Sequence, residues 1–176
     1  MCVGDTVVPI GSNKQRAVLA MLVIYRNRAV GIDELISAVW KDAPHSGARA
    51  ALHTYVSNLR GLVARPGIDT HAVLTRTPPG YRMSVLDEDC DVGRFTVERG
   101  NGVRALASGR FEQASGCLSA ALSHWRGPVL DDLRGFTFFE PFATALAEEK
   151  LTTQVFPPRL KPLAAAPIRS SMNSRR

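Results

Sequence analysis

The chain has 176 residues, a formal net charge of +6 and an apolar fraction of 45%, enough for one ordinary domain or two small ones and too short for a large catalytic barrel. Its longest apolar run, Ala17 to Tyr25, is nine residues, where a membrane span needs about twenty, and no basic-then-apolar leader opens the sequence, so a cytoplasmic protein with no membrane partner is expected. Charge is uneven: residues 1–86 carry ten Lys/Arg against five Asp/Glu, residues 87–154 seven against eleven, and residues 155–176 five against none, which points the basic first half toward a polyanion, with a plain solvated surface as the alternative.

Ser12-Asn13-Lys14-Gln15 has the form of a capping box, with the Ser12 hydroxyl accepting from the third helical N–H and Gln15 reaching back. A first helix is predicted from there to about Tyr25, with Val18, Leu19, Leu22 and Val23 as its apolar stripe and Arg26-Asn27-Arg28 as its break. Ile32 to Trp40 repeats the pattern through Ile32, Leu35, Ile36 and Val39, with Asp33 and Glu34 favouring its first turn, and Lys41 to Pro44 ends it.

The third helix, about Ser46 to Val63, offers two faces. Leu52, Tyr55, Val56, Leu59 and Val63 make a core stripe, while Arg49, His53, Ser57 and Arg60 recur at steps of four, four and three with tips able to reach phosphates or base edges. A solvated polar face is the alternative. After Arg65-Pro66-Gly67, the segments Val73 to Arg76 and Tyr81 to Val85 read as short strands around Thr77-Pro78-Pro79-Gly80. Three helices and a basic hairpin make a winged helix-turn-helix, in which the third helix enters the major groove and Arg76 and Arg82 on the wing approach the backbone or minor groove.

In the acidic middle, Phe95 with Val103 to Leu106 and then Phe111, Ala114, Leu118, Ala121 and Leu122 form two helical patterns joined at Ser108-Gly109-Arg110. Gly100 and Gly102 inside the first predict fraying or a break there. Trp125 to Pro128 is a loop signal, and a last amphipathic helix, about Phe139 to Gln154, is expected to pack back through Phe142, Leu146 and Leu151.

The stretches "KQRAVLAMLVIYRNRAVGIDELISAVW", "GARAALHTYVSNLRGLV" and "PPGYRM" resemble the winged-helix domain of the antibiotic regulatory protein (SARP) family of actinobacterial transcription regulators. The stretch "CDVGRFTVERGNGVRALASGRFEQASGCLSAALSHWRGPVLDDL" is similar to the start of that family's bacterial transcriptional activator domain, an all-helical module of tetratricopeptide-like hairpins. The resemblance covers about residues 7 to 154. It implies a mainly α fold, with a winged helix-turn-helix at 1–88 and a partial helical activator domain at 89–154; residues 155–176 match nothing in the family, and their four prolines and five basic residues without an acidic one predict a divergent, disordered tail. It further implies sequence-specific binding of double-stranded DNA at direct-repeat promoter sites on the nucleoid, with RNA polymerase as a partner. With the face argument, it assigns Arg49, His53, Ser57 and Arg60 to the groove, Arg76 and Arg82 to the wing, and Lys14 and Arg16 to phosphates near the first helix.

Family members begin with a longer segment that supplies a small N-terminal sheet and continue with further helical repeats, some adding a forkhead-associated domain that reads phosphothreonine. The expectation for this chain is an incomplete N-terminal sheet and a helical module whose apolar face is left exposed near Gln154 and covered by another copy or partner. A rival reading from another class is a shortened interaction protein that engages a Ser/Thr protein kinase or a full-length homologue and interferes with their signalling. Chemistry is not expected. His45, His53, His71 and His124 and the three cysteines, Cys2, Cys90 and Cys117, show no metal-ligand spacing or CxxC pair, no nucleotide or hydrolase signature is present, and Asp131-Asp132 lacks an acid-base partner. No metal, no cofactor and no enzyme activity are therefore expected.

Overall fold

A computed structural model of the chain describes residues 2–3, 6–7, 9–40, 46–64 and 67–155. Strands β1 (Cys2–Val3) and β2 (Thr6–Val7) pair antiparallel, and are what the described residues hold of the N-terminal sheet. Helix α1 (Asn13–Ile24) starts at Ser12, whose hydroxyl accepts from Gln15 N at 3.3 Å. The other half of the capping box does not form. Gln15 is 5% exposed, and its amide serves other partners instead: Nε2 donates to the Ile10 carbonyl at 2.5 Å and Oε1 accepts from Asn58 Nδ2 at 3.2 Å.

Beyond α1 the chain reverses at Asn27, whose φ of +65° suits an Asn side chain. Its amide clamps Val85 on both sides, donating to the carbonyl at 2.9 Å and accepting from the N–H at 3.1 Å. Strand β3 (Ala29–Gly31), which the sequence pattern did not reveal, follows and leads into α2 (Ile32–Trp40), where Ile32, Leu35, Ile36 and Val39 are buried as expected. The predicted stop at Lys41 to Pro44 lies outside the described residues. Helix α3 (Ala48–Val63) buries Leu52, Val56 and Leu59; Tyr55 and Val63 are half-buried, Tyr55 stacked on Trp40 with centroids 5.9 Å apart.

A short helix, α4 (Thr70–Val73), precedes β4 (Leu74–Thr77) and β5 (Gly80–Met83), so Val73 is helical and Ser84 and Val85 fall outside the strand. The three-stranded antiparallel sheet has the order β3-β5-β4. Gly80 permits it, because a Cβ there would lie 2.0 Å from the Val30 carbonyl oxygen.

The second half opens with α5 (Asp91–Ala107) and α6 (Phe111–Ser123), antiparallel about a turn with Gly109 at φ +70°. Helix α5 runs unbroken through Gly100 and Gly102, against the expectation of a break. The reason is packing: Gly102 is buried, and a Cβ on it would meet Leu118 Cδ2 at 2.6 Å, so the missing side chain lets α6 come close. Helix α7 (Glu140–Val155) takes Val155 out of the predicted tail. Phe142 and Leu146 are half-buried, but Leu151 does not pack back and is 60% exposed; Thr153 is the buried residue at this end. Residues 156–176, and the predicted disorder there, lie outside the described residues.

The stretch between α6 and α7 closes the first domain. Leu133 and Phe139 on two short 3-10 turns are each 2% exposed within the core of α1, α2 and α3, with Leu130 and Phe136 packed against it. Among the described residues an ion pair of Arg16 Nε with Asp132 at 2.9 Å ties this stretch to α1, and one of Arg26 with Asp87 at 2.6 Å holds the segment that leads into α5.

Candidate nucleic-acid interface

The surface to which the sequence assigned DNA contacts is built by α3 and the β4–β5 hairpin. At about 3.6 residues per turn, the face opposite the buried Leu52, Val56 and Leu59 carries Ala50, Thr54, Ser57 and Gly61, all exposed. The predicted face is therefore rotated from the outward one. Gly61 sits near its centre and Ser57 at the edge beside the flank; Arg49, His53 and Arg60 lie on that flank, toward α2 and the sheet.

Each flank residue has a partner. Arg49 NH2 donates to Asp33 Oδ1 at 2.8 Å, with the two side chains 57% and 89% exposed. His53 Nδ1 lies 2.5 Å from the Tyr81 hydroxyl, the rings edge-on with centroids 6.1 Å apart. Arg60 donates through Nε and NH2 to the Leu74 carbonyl at 3.0 and 2.7 Å. Arg60 thus fixes α3 to the start of the hairpin and its guanidinium is committed within the domain.

Cross-strand partners share a sheet face. Arg76 pairs with Tyr81 and Thr75 with Arg82, so the two wing arginines project from opposite faces. Arg76 is exposed on the face that carries Leu74, Tyr81 and Met83, beside the His53 contact, and belongs to the α3 surface. Arg82, half-buried, stands on the other face near the exposed Arg28, which precedes the strand residue paired with it. None of Arg28, Arg76 and Arg82 forms an ion pair among the described residues.

Near α1 the assignment divides differently. Lys14 Nζ sits 5.3 Å from the centroid of the Trp40 ring, half-buried yet with no carboxylate bound among the described residues. Arg16 is joined to Asp132 and to Asn13 Oδ1, so its role is to hold the 130s segment onto α1. Ala50, Thr54 and Gly61 were missed because they carry no charge; their signal was position, directly across the helix from the buried stripe. No helix of the described residues is long and apolar enough to cross a membrane.

Two family models match the chain: "Transcriptional regulatory protein, C terminal" over residues 9–83 and "Bacterial transcriptional activator domain" over residues 90–156. The sequence is 63% identical over 151 residues to the transcriptional regulatory protein EmbR of Mycobacterium tuberculosis, covering 86% of this chain and 39% of EmbR. It is 46% identical over 147 residues to MoaR1 of the same organism, covering 83% and 47%, and 30% identical over 135 residues to the regulatory protein DnrI of Streptomyces peucetius, covering 74% and 49%. A solved structure of M. tuberculosis EmbR in complex with a low-affinity phosphopeptide superposes with a TM-score of 0.80 at 64% identity, over 83% of this chain and 38% of that one. The chain spans less than half the length of each of these relatives.

Proposed function

Because the chain belongs to the SARP family of transcriptional regulators, with that family's two modules in order, we propose that it binds double-stranded DNA sequence-specifically and acts on transcription without performing chemistry itself. The observation that carries this reading is the shared surface of α3 and the hairpin, where the small outward residues Ala50, Thr54, Ser57 and Gly61 are flanked by Arg49 and Arg76. Small side chains let the helix axis approach base edges, and flanking cations neutralise phosphates and fix register. Residues 1–88 form the DNA-binding unit and residues 89–154 the activator unit, a division supported by the extents of the two matching models. The location that follows is the nucleoid.

The test is fluorescence anisotropy of the purified chain on a promoter duplex with direct repeats against a scrambled duplex, at several salt concentrations. Preference for the direct repeats with a steep salt slope supports the reading. Weak binding indifferent to sequence, from protein folded by circular dichroism, overturns it.

A second reading, an interaction protein engaging a Ser/Thr kinase or a longer homologue, is favoured by one observation: Leu151 and Val155 are 60% and 79% exposed along α7, an apolar strip of the kind that partners cover. A purified kinase that neither binds the chain nor changes activity in its presence would count against it.

A further inference from the structure

Bidentate readout of a base edge takes an Arg, Lys, Asn, Gln or carboxylate side chain. Among the described residues, the middle of the outward face of α3 holds none of these: Ala50 and Gly61 carry no polar side-chain atom, and Thr54 stands between them. Ser57 and Asn58 mark the two edges, with Asn58 Nδ2 donating to Gln15 Oε1 at 3.2 Å. Thr54 also lies in the N-terminal half of α3, the part of a recognition helix that meets base edges.

The Thr54 hydroxyl is already engaged. Its Oγ1 donates to the Ala50 carbonyl one turn back at 3.1 Å, the bond that hydroxyls in mid-helix commonly make. A hydroxyl has one proton to give, so Thr54 keeps none for the acceptors of the major groove, purine N7, guanine O6 and thymine O4. The rest of this exposed side chain is a methyl group, four residues from the exposed Ala50 methyl and on the same helix face. Together they form a small apolar surface, and the apolar group that DNA presents in the major groove is the 5-methyl of thymine.

We propose that Thr54, supported by Ala50, determines specificity by reading a thymine in each repeat of the promoter site through its 5-methyl group. The proposal rests on the DNA-binding reading and deepens it: the centre of α3 selects by apolar contact, with its hydrogen-bonding side chains set to the flank.

The test is an anisotropy titration of the full chain on the direct-repeat duplex with its thymines replaced one at a time by deoxyuridine, which lacks only the methyl group. One thymine in each repeat is expected to matter, its replacement weakening binding by about fourfold, the worth of one buried methyl group. Thr54→Val, which keeps a methyl and loses the hydroxyl, should retain that difference. Thr54→Ser, which keeps the hydroxyl and loses the methyl, should bind the thymine and deoxyuridine duplexes alike, with an unchanged circular dichroism spectrum. A parent chain that prefers direct repeats to a scrambled duplex yet ignores every methyl overturns this proposal and leaves the DNA-binding reading standing, whereas indifference to the direct repeats themselves overturns both. A difference that survives in Thr54→Ser, or vanishes in Thr54→Val, also overturns the assignment to the Thr54 methyl.

Discussion

The Nδ1 atom of His53 and the hydroxyl oxygen of Tyr81 lie 2.5 Å apart, joining α3 to the central strand of the sheet. Tyr81 is 3% exposed, so its ring is fixed by the core and its hydroxyl sets how α3 stands relative to the hairpin. Tyr81→Phe keeps the ring and deletes the bond. The expected outcome is a stability loss of about 0.5 to 1.5 kcal/mol in urea unfolding, with weaker binding to the direct-repeat duplex and little change on the scrambled one. Equal losses on both duplexes would show that the bond serves the fold without orienting the reading surface.

Arg60 gives the opposite expectation from the one its sequence position suggests. Its two bonds to the Leu74 carbonyl make it a brace, and hydrogen bonds to charged groups contribute about 1.5 to 3 kcal/mol. Arg60→Ala should lower the urea midpoint clearly while DNA affinity, measured where the variant is folded, changes less than about threefold. Arg60→Lys should not restore stability, since an ammonium cannot reproduce the forked geometry. A large affinity loss with unchanged stability would return Arg60 to the interface.

Local patterns and tertiary placement separate cleanly here. Ser12 and the stripes at Val18, Ile32 and Leu52 located α1, α2 and α3 because capping and amphipathicity are properties of adjacent residues. Ala29–Gly31 offered only three residues without alternation, so β3 becomes visible only through its pairing with β5. The docking of Leu133 and Phe139 into the first domain's core joins residues more than a hundred positions apart, which no local window records. On α3 the polar residues at steps of four drew the reading to one flank. The buried stripe defines the outward face more firmly than polarity does, because Ala50 and Gly61 can face DNA without carrying a charge.

Arg49 is held by Asp33 in an exposed pair, and such pairs contribute only about 0 to 1 kcal/mol, whereas a bidentate base contact discriminates by about 1 to 3 kcal/mol. DNA is therefore expected to outcompete Asp33 for Arg49. Arg49→Ala is expected to weaken binding to direct repeats by about tenfold or more, in line with that discrimination, and Asp33→Asn to strengthen it by removing a negative charge near the phosphates. Anisotropy titrations in which Asp33→Asn binds more weakly than the parent would mean that the pair preorganises Arg49 for contact.

The two wing arginines should separate in salt dependence. Arg76 shares a face with Tyr81 and the α3 surface, while Arg82 projects from the other face. Each phosphate contact adds about 0.9 to the slope of log affinity against log salt, so Arg76→Ala should lower the slope by about that amount and Arg82→Ala by less. The reverse order would mean that the hairpin meets DNA through its outer face.

Two glycines on one helix predict opposite signs. At Gly100 the nearest atom to an added Cβ is the end of the flexible Arg104 side chain at 4.0 Å, whereas at Gly102 it would meet Leu118 Cδ2 and Cγ at 2.6 and 2.7 Å. Gly100→Ala should therefore stabilise the chain, by up to about 1 kcal/mol from helix propensity alone. Gly102→Ala makes the same propensity gain but must push α6 away or force Leu118 off its rotamer, and overpacking of this kind costs about 1 to 3 kcal/mol. Thermal unfolding followed by circular dichroism is expected to place Gly100→Ala above the parent and Gly102→Ala below it. If both variants rise together, α5 and α6 are not in close contact at Gly102, and the continuity of α5 through this region owes nothing to the fit against Leu118.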